Sequence, residues 1–287
     1  AKFFQTASTD ELKAMQEGTD AEGGFFVPED FRTQVIHNTG VPGGVHRPYC
    51  TVLTTTLKDG YLPTMGSVSW AAIAEEAAYG DNTPTVGQVS FNIRKAGGTT
   101  KVSSELLEDS AVNLPALLSQ IFGEAQGRYE DTQLIGGDGS GEAEGIRTSG
   151  TDGTVSDSAT AVAIADFETW YFDLPAQFRA NATVSATSSL MAQVAALDVT
   201  ASKGSLTSSP ATTLLGRPTA LFDGTGWDDA TAISASEEVG CIGDFSNYYL
   251  IDRIGMSMRR DDSIYVANDQ VGFFARSRYD GRVGLAD

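Results

Sequence analysis

The pattern between Asn113 and Gly145 constrains the fold of this 287-residue chain more than any other stretch. Apolar residues recur there every three or four positions, which predicts a long helix with one hydrophobic face. Asn113 suits the N-cap, and Pro115 is tolerated in a first turn. A helix of about 20 residues is roughly 30 Å long, and the glycines after Ile135 would end it. The hydrophobic face consists of Leu114, Leu117, Leu118, Ile121, Phe122, Ala125 and Tyr129.

The charge balance argues against several classes of protein. Acidic residues outnumber basic ones 38 to 19, which gives a formal net charge of −19. Such a surface repels phosphate polymers, so sequence-specific binding of nucleic acid is not expected. It remains compatible with a container wall around DNA, or with acidity that only maintains solubility. The hydrophobic fraction of 41% supports a packed core, and no apolar run approaches the roughly 18 residues of a membrane span.

The residues that usually perform catalysis are scarce. The two histidines, His37 and His46, argue against a histidine metal site, and a Ser-His-Asp triad would need one of them. Cys50 and Cys241 fit no metal or redox spacing and are interpreted as buried, inert thiols. The run from Gly136 to Gly145 lacks the lysine and the spacing of a phosphate loop. We therefore predict no catalytic, cofactor or metal site and expect a protein that is not an enzyme.

Two weaker chemical interpretations remain open at this point. Three carboxylates after the long helix could gather around a calcium ion, although the EF-hand spacing is absent. Adjacent carboxylates could serve an acidic soluble hydrolase, although such pairs are usually only solvated. The calcium candidates are Asp138, Glu142 and Glu144, and the hydrolase candidates are Glu75 with Glu76 and Glu237 with Glu238.

Residues 66–102 contain a candidate β-hairpin. Two extended segments, Ser67–Ile73 and Val86–Arg94, are joined by a polar tip around Gly80, and Asp59-Gly60 reads as a turn before them. An isolated two-stranded hairpin is marginally stable in water. The hairpin must therefore pack on its own domain or reach a neighbour.

The end of the chain has a different character. Its alternating pattern predicts several antiparallel strands, and six of the thirteen arginines lie between Arg253 and Arg282. An arginine-rich sheet in an acidic protein favours ion pairs with carboxylates, within the chain or across an interface. A solvated sheet face is the alternative.

Four stretches together resemble the major capsid proteins of tailed bacteriophages with the Hong Kong 97-like fold. They are GGFFVPEDFRTQVI (23–36), TTKVSSELLEDS and the long helix with its glycine-rich exit (99–146), LLGRPTALFD (214–223), and the arginine-rich end (243–284). The order and spacing of these four stretches match those of the family over nearly the whole chain. The resemblance implies an α+β fold.

The family resemblance also implies a division of the chain. Residues 1–27 would be an N-terminal arm, and residues 66–96 would be an extended loop lying over the adjacent subunit. A discontinuous peripheral domain would comprise residues 28–65, 97–145 and 241–287, with a spine helix at about 113–135. Residues 146–240 would form the axial domain. A chain starting at Ala1 would be the mature, processed product, unless a methionine was simply removed.

The function that the resemblance implies is self-assembly. Pentamers and hexamers of this chain would form an icosahedral shell that encloses double-stranded DNA without sequence-specific binding. The protein would be part of the virion after assembly in the cytoplasm of a bacterial host. Its partners would be other copies of itself, a portal, a scaffold or protease, and a decoration protein. An encapsulin-like cargo compartment with the same fold is the structural alternative.

Residues of the extended loop and of the arginine-rich end are the candidates for contacts between subunits. They are Trp70, Glu75, Glu76, Tyr79, Arg94, Arg253, Arg259, Arg260, Arg276 and Arg278.

The resemblance has one departure that generates a prediction. Family members that weld their shells use a lysine in the extended loop, whereas no lysine lies between Gly66 and Arg94 here; Lys58 and Lys95 flank the loop. We expect a noncovalent shell. Assembled shells boiled in denaturant should run on a gel as a single 30.3 kDa band, and a ladder of linked oligomers would contradict this.

Overall fold

The computed structural model describes residues 43–76, 78, 80, 83–110, 113–150, 162–201, 213–228, 230 and 237–284. All described helices and strands belong to one compact unit of residues 39–109 and 113–287. The predicted arm (1–27) lies outside the described residues. No helix in the described ranges is both long and apolar enough to span a membrane.

The predicted long helix is confirmed as α2, Leu114–Gly136, and Asn113 caps it by accepting the N–H of Ala116 at 3.2 Å. In helix α4 (Ile164–Asp173), Asp166 lies in the first turn and accepts the N–H of Ala163, the N-cap residue, at 2.8 Å. The helices are α1 (Ser104–Asp109), α2, α3 (Ile146–Ser149), α4 (Ile164–Asp173) and α5 (Ser188–Ala201).

The arginine-rich end forms two long antiparallel strands at the centre of a four-stranded sheet, which we call the first sheet. Its order is β1-β9-β10-β4, with β1 parallel to β9 and β4 antiparallel to β10. The strand bounds are β1 Thr51–Thr54, β4 Arg94–Ser103, β9 Tyr248–Asp261 and β10 Gln270–Val283.

The predicted hairpin is present, but its first strand is Asp59–Met65 and not Ser67–Ile73. β2 (Asp59–Met65) pairs with β3 (Val86–Asn92), so Asp59-Gly60 begins a strand, and Ser67–Ile73 is neither helix nor strand. The alanines at 71 and 72 give that segment little to pack across a ladder, whereas β2 alternates. Pro63 is tolerated because each strand of a two-stranded ribbon has a free edge.

A second four-stranded sheet has the order β6-β7-β5-β8. Every residue of β5 is buried, and α4 and α5 supply Phe167, Leu190 and Val194 to the same core. Within the stretch 214–223, a turn at Leu215-Gly216 separates β6 from β7. Strand β8 carries this sheet to residue 243, three residues beyond the predicted end of the axial domain at residue 240. The bounds are β5 Thr183–Ala186, β6 Thr213–Leu214, β7 Arg217–Leu221 and β8 Gly240–Gly243.

The hydrophobic face predicted for α2 is not buried within the chain. The apolar side chains from Leu114 to Phe122 are half-exposed, and Tyr129 is 40% exposed. Burial is concentrated at the other end of the helix, where Leu134 and Ile135 pack on Phe222 and Leu250. The periodicity identifies the apolar side of the helix, but it does not show whether that side is buried within the chain.

A buried polar network joins the end of α2 to the loop before β1 and to the second sheet. The carboxylate of Asp131 accepts the backbone N–H groups of Val45 and His46 at 3.0 and 3.1 Å. It also lies 3.0 Å from Nδ1 of His46, whose Nε2 is 2.7 Å from Oγ of Ser185 in β5. Asp131, His46 and Ser185 are at most 1% exposed, so these bonds satisfy groups that water cannot reach.

Replacing Asp131 with alanine should destabilise the subunit strongly. The substitution leaves the backbone N–H groups of Val45 (half-buried) and His46 (buried) and the His46 imidazole N–H without an acceptor, and each unpaired buried group is costly. We expect the free energy of unfolding to fall by about 3 kcal/mol or more, measured by urea denaturation of the unassembled chain. Asp262→Ala is the control, because Asp262 is 62% exposed, and its effect should stay within about 0.5 kcal/mol. Equal effects of both substitutions would contradict the role given to the network.

Candidate interaction surfaces

The hairpin of β2 and β3, together with the loop that joins them, exposes an unusual amount of apolar surface, which we call the hairpin surface. Trp70 is 98% exposed, and large apolar side chains on both strands are more than half exposed. Isolated exposed apolar residues are normal, but a contiguous group marks an interaction site. The hairpin surface consists of Tyr61, Met65, Val68, Trp70 and Val86.

One side of the first sheet is basic, and we call it the basic sheet face. In β10 the odd-numbered residues from Val271 to Tyr279 are buried, so Phe274, Arg276 and Arg278 point to the opposite side. Arg278 lies directly across from Lys95, a pairing of like charges that is unfavourable without a counter-charge. The cations of this face are Lys95, Lys101, Arg259, Arg276 and Arg278.

Two of the predicted arginines pair with carboxylates near the turn between β9 and β10. Arg259 contacts Asp261 at 3.1 Å, and Arg260 contacts Asp262 at 2.7 Å. These guanidinium groups are 80% and 55% exposed, so each pair contributes little stability. Their exposed donors remain accessible to another molecule.

The other candidate contact residues lie in different environments. Arg94 donates to the carbonyl of Ser140, Arg253 is half-buried, and Arg276 is exposed. Glu75 and Glu76 are exposed in a turn of the loop, where Glu76 has a φ of 65°. Tyr79 lies outside the described residues. The structure thus places Arg276 and Arg278 together on the basic sheet face and Trp70, Glu75 and Glu76 together in the hairpin loop, while contacts between copies stay a prediction.

An open groove of about 340 Å³ lies between α2 and the first sheet, and we call it the helix groove. Arg47 occupies its floor, where its guanidinium contacts Asp252 and both oxygens of Glu130, the latter at 2.8 Å. Burial raises the pKa of Glu130 even though Arg47 opposes that shift, and the Glu130 carboxylate in turn raises the pKa of Arg47 against desolvation. Nη1 of Arg47 donates to both Glu130 oxygens and Nη2 to Asp252, so a single cation lies between two carboxylates on the groove floor.

Sequence reasoning missed the arrangement of Ser185, His46 and Asp131, which has the spacing of a catalytic triad. The hydroxyl, imidazole and carboxylate follow one another at 2.7 and 3.0 Å. However, Oγ of Ser185 also accepts the indole N–H of Trp227 at 2.8 Å, and no member is exposed enough to meet a substrate. Because the indole N–H of Trp227 can only donate, Oγ of Ser185 accepts it and can donate its own proton to Nε2 of His46. Since all three side chains are buried, these hydrogen bonds form a structural network.

The remaining chemical candidates are also occupied by the chain itself. Asp138 accepts the N–H groups of Ser140 and Gly141 at 2.9 and 3.0 Å, which lowers its pKa. Glu144 contacts Arg282, and Glu238 contacts Arg147, so neither belongs to a free carboxylate pair. Among the described residues no group of histidine, cysteine and carboxylate side chains could hold a metal ion.

Both cysteines are chemically quiet in this structure. They are free thiols that pack beside the core around Leu134 and Trp227. Burial raises the pKa of each thiol to about 12. The reactive thiolate is therefore a minor species at neutral pH.

A sequence model described as "Phage capsid family" matches residues 23–286. The capsid of an empty GTA particle has a TM-score of 0.74 at 23% identity, over 93% of this chain and 95% of that one. A structure from Microbacterium phage Oxtober96 has a TM-score of 0.72 at 12% identity, over 93% of each chain. No curated protein matches the chain in sequence.

The burial of Ser185 generates a test of the triad-like arrangement. A fluorophosphonate probe should leave the folded chain unlabelled, because the Ser185 hydroxyl is fully buried and bonded on two sides. In-gel fluorescence would detect any labelling, and a serine protease would serve as the positive control. Labelling that disappears in Ser185→Ala but persists in Ser263→Ala, whose serine is exposed, would contradict the structural interpretation.

Proposed function

The chain belongs to the phage capsid family, and from this premise we propose that it is the repeating subunit, the major capsid protein, of a tailed-phage shell. Pentamers and hexamers would build an icosahedral container for double-stranded DNA. The observation that carries the proposal is the family match over residues 23–286. Capsid structures with the same α+β, Hong Kong 97-like fold agree with it. The encapsulin-like and hydrolase alternatives are not favoured.

The uncovered surfaces of the subunit support assembly. The hairpin surface, the half-exposed apolar side of α2 and the basic sheet face all lack a complementary partner of comparable size among the described residues. Hydrophobic association of such surfaces contributes roughly 25 cal/mol per Å² of apolar area removed from water. Contacts repeated around every subunit would add up over the shell.

The ten predicted contact residues enter this proposal with different supports. Trp70, Arg259, Arg260 and Arg276 are exposed and have groups free to meet another copy. Arg94 and Arg278 are half-buried, so only the exposed part of each guanidinium group would meet a neighbour. Arg253, Glu75, Glu76 and Tyr79 stay candidates by position.

The domain roles belong to the same proposal. The spine helix α2 and the first sheet would form the peripheral domain, the second sheet with α4 and α5 the axial domain, and the hairpin the extended loop over an adjacent subunit. The protein would reside in the virion after assembly in the host cytoplasm, with a portal, a scaffold or protease and a decoration protein as partners. It would not act as an enzyme, and it would enclose DNA without reading its sequence, as its net charge of −19 favours.

Electron microscopy of the purified full-length chain tests the proposal. We expect closed particles of uniform diameter, because one repeated contact geometry fixes the curvature of a shell. Sizing chromatography should show the same material eluting near the void volume. A monodisperse monomer without large particles, at concentrations and salt conditions that span those of a host cell, would contradict a shell subunit.

A further inference from the structure

The helix groove carries more negative than positive charge. Its charged lining residues are one cation, Arg47, and two carboxylates, Glu130 and Asp252. Arg47 donates to both oxygens of Glu130 but only to Oδ2 of Asp252, so Oδ1 of Asp252 lies outside this ion pair. Glu130 is buried and Asp252 is half-buried. Because charges interact more strongly where water is partly excluded, the excess negative charge attracts a further cation to the groove.

Tyr279 adds an unpartnered polar group to the same groove. The side chain lines the groove and is 6% exposed, and its hydroxyl has no hydrogen-bond partner among the described residues. Burial raises the pKa of Tyr279, and the nearby Glu130 and Asp252 carboxylates raise it further, so the hydroxyl stays protonated close to the excess charge. A buried hydroxyl without a partner is unfavourable. The groove therefore contains an unmet hydrogen-bonding group as well as an unmet charge.

The groove also has open space and an apolar wall. Ile254 and Met256 of β9 line it. Glycine inside a helix lowers helix stability relative to alanine, yet a Cβ at Gly123 would meet nothing closer than Cε of Met256, at 4.0 Å. Glycine at this position thus leaves the groove open without avoiding any clash. The volume of about 340 Å³ lies in the range of clefts that hold small molecules, roughly 300 to 1,000 Å³.

A primary alkylammonium ion matches this lining better than a metal ion. Its head has three N–H donors and no acceptor, which suits Oδ1 of Asp252 and Oη of Tyr279. Its aliphatic stem can lie along Ile254 and Met256, as lysine stems do on apolar surfaces. Mg²⁺ instead requires octahedral oxygen coordination and loses its water reluctantly. In the described part of the chain, no group of histidine, cysteine and carboxylate side chains could supply such coordination.

We propose that the helix groove binds one ammonium group of a free aliphatic diamine. The ammonium neutralises the excess charge of Glu130 and Asp252 and donates hydrogen bonds to Asp252 and Tyr279. Since the groove has one excess charge, the second ammonium stays in solvent. In a shell, which rests on the proposed function, this second ammonium pairs with a DNA phosphate and offsets the repulsion between DNA and a chain of net charge −19. The binding itself requires no assembly.

Saturation-transfer difference NMR on the full-length chain tests the binding, with 1,4-diaminobutane as the probe at constant ionic strength. Transfer to the methylene protons should saturate as the diamine concentration rises. Butane-1,4-diol has the same stem without charge and should give no saturable transfer. Transfer that never saturates, or displacement by Mg²⁺ as effective as displacement by unlabelled diamine, would show a diffuse counterion effect and overturn the proposal.

A second amine distinguishes the two sources of an ammonium group. Nα-acetyl-lysinamide represents a lysine side chain of another protein molecule. It should bind more weakly than 1,4-diaminobutane, and tighter binding would overturn the assignment to a free diamine. Particles without saturable binding would remove the site alone, whereas saturable binding by a chain that forms no particles would remove the shell function and leave the site.

Two matched pairs of variants locate the site. Asp252→Asn removes the excess charge and should weaken diamine binding about tenfold, whereas Asp262→Asn, the same change at an exposed carboxylate, should leave it unchanged. Gly123→Leu should fold normally by circular dichroism, because leucine favours helix and meets open space, and should weaken binding by filling the groove. Ala125→Leu is its control, since position 125 is exposed and lies about 200° around the helix. Wild-type binding by Gly123→Leu, or equal losses within either pair, would overturn the proposal.

Tyr279→Phe decides the case if Asp252→Asn or Gly123→Leu fails to fold. The substitution removes only a hydroxyl that has no partner among the described residues, so the free energy of unfolding should not fall. Diamine binding should nevertheless weaken about threefold or more, because the ammonium loses an acceptor. Tyr265→Phe, at a tyrosine that stacks on Phe274 outside the groove, should bind as wild type does. Unchanged binding by Tyr279→Phe would overturn the proposal.

Discussion

The carboxylate of Asp131 is the interaction on which the described structure most depends. It sits at the buried end of α2, holds the loop at Val45 and His46, and through the imidazole reaches Ser185 in the second sheet. One side chain thus connects the long helix, the entry to the first sheet and the second sheet. A buried carboxylate is tolerable because its oxygens accept three hydrogen bonds. The order of serine, histidine and aspartate is that of a catalytic triad, but the three side chains are buried and instead connect the helix to the second sheet.

The burial of side chains differs between the two ends of α2, and the buried end is the one that carries Asp131. Its C-terminal end is fixed in the core with Leu134 and Ile135, while the preceding turns remain half-exposed beside the helix groove. The hairpin surface, the basic sheet face and the groove belong to the same compact unit as this end of the helix. A capsid subunit needs both properties, because contacts must be uncovered in the free chain and yet reproducible in every neighbour.

Much of the fold could be predicted from local patterns. The long helix with its Asn113 cap and the paired strands of the arginine-rich end are confirmed. The strand predictions are wrong where the structure of a segment depends on which other strand it pairs with. Ser67–Ile73 alternates weakly but has no strand beside it, and Asp59-Gly60 looks like a turn but pairs with Phe91 and Asn92. Register and pairing depend on residues distant in sequence, which a local pattern does not contain.

The sequence by itself determined the composition of the surfaces, the amphipathic spine and the family likeness, because periodicity, charge and spacing are properties of the linear chain. Only the tertiary structure decided that His46 is buried against Asp131 and Ser185, that Arg276 and Arg278 share a face with Lys95, and that Gly123 borders an unfilled groove. These facts bring together residues as much as 183 positions apart, as Lys95 and Arg278 are. Such contacts follow from packing in three dimensions rather than from any preference of the local chain.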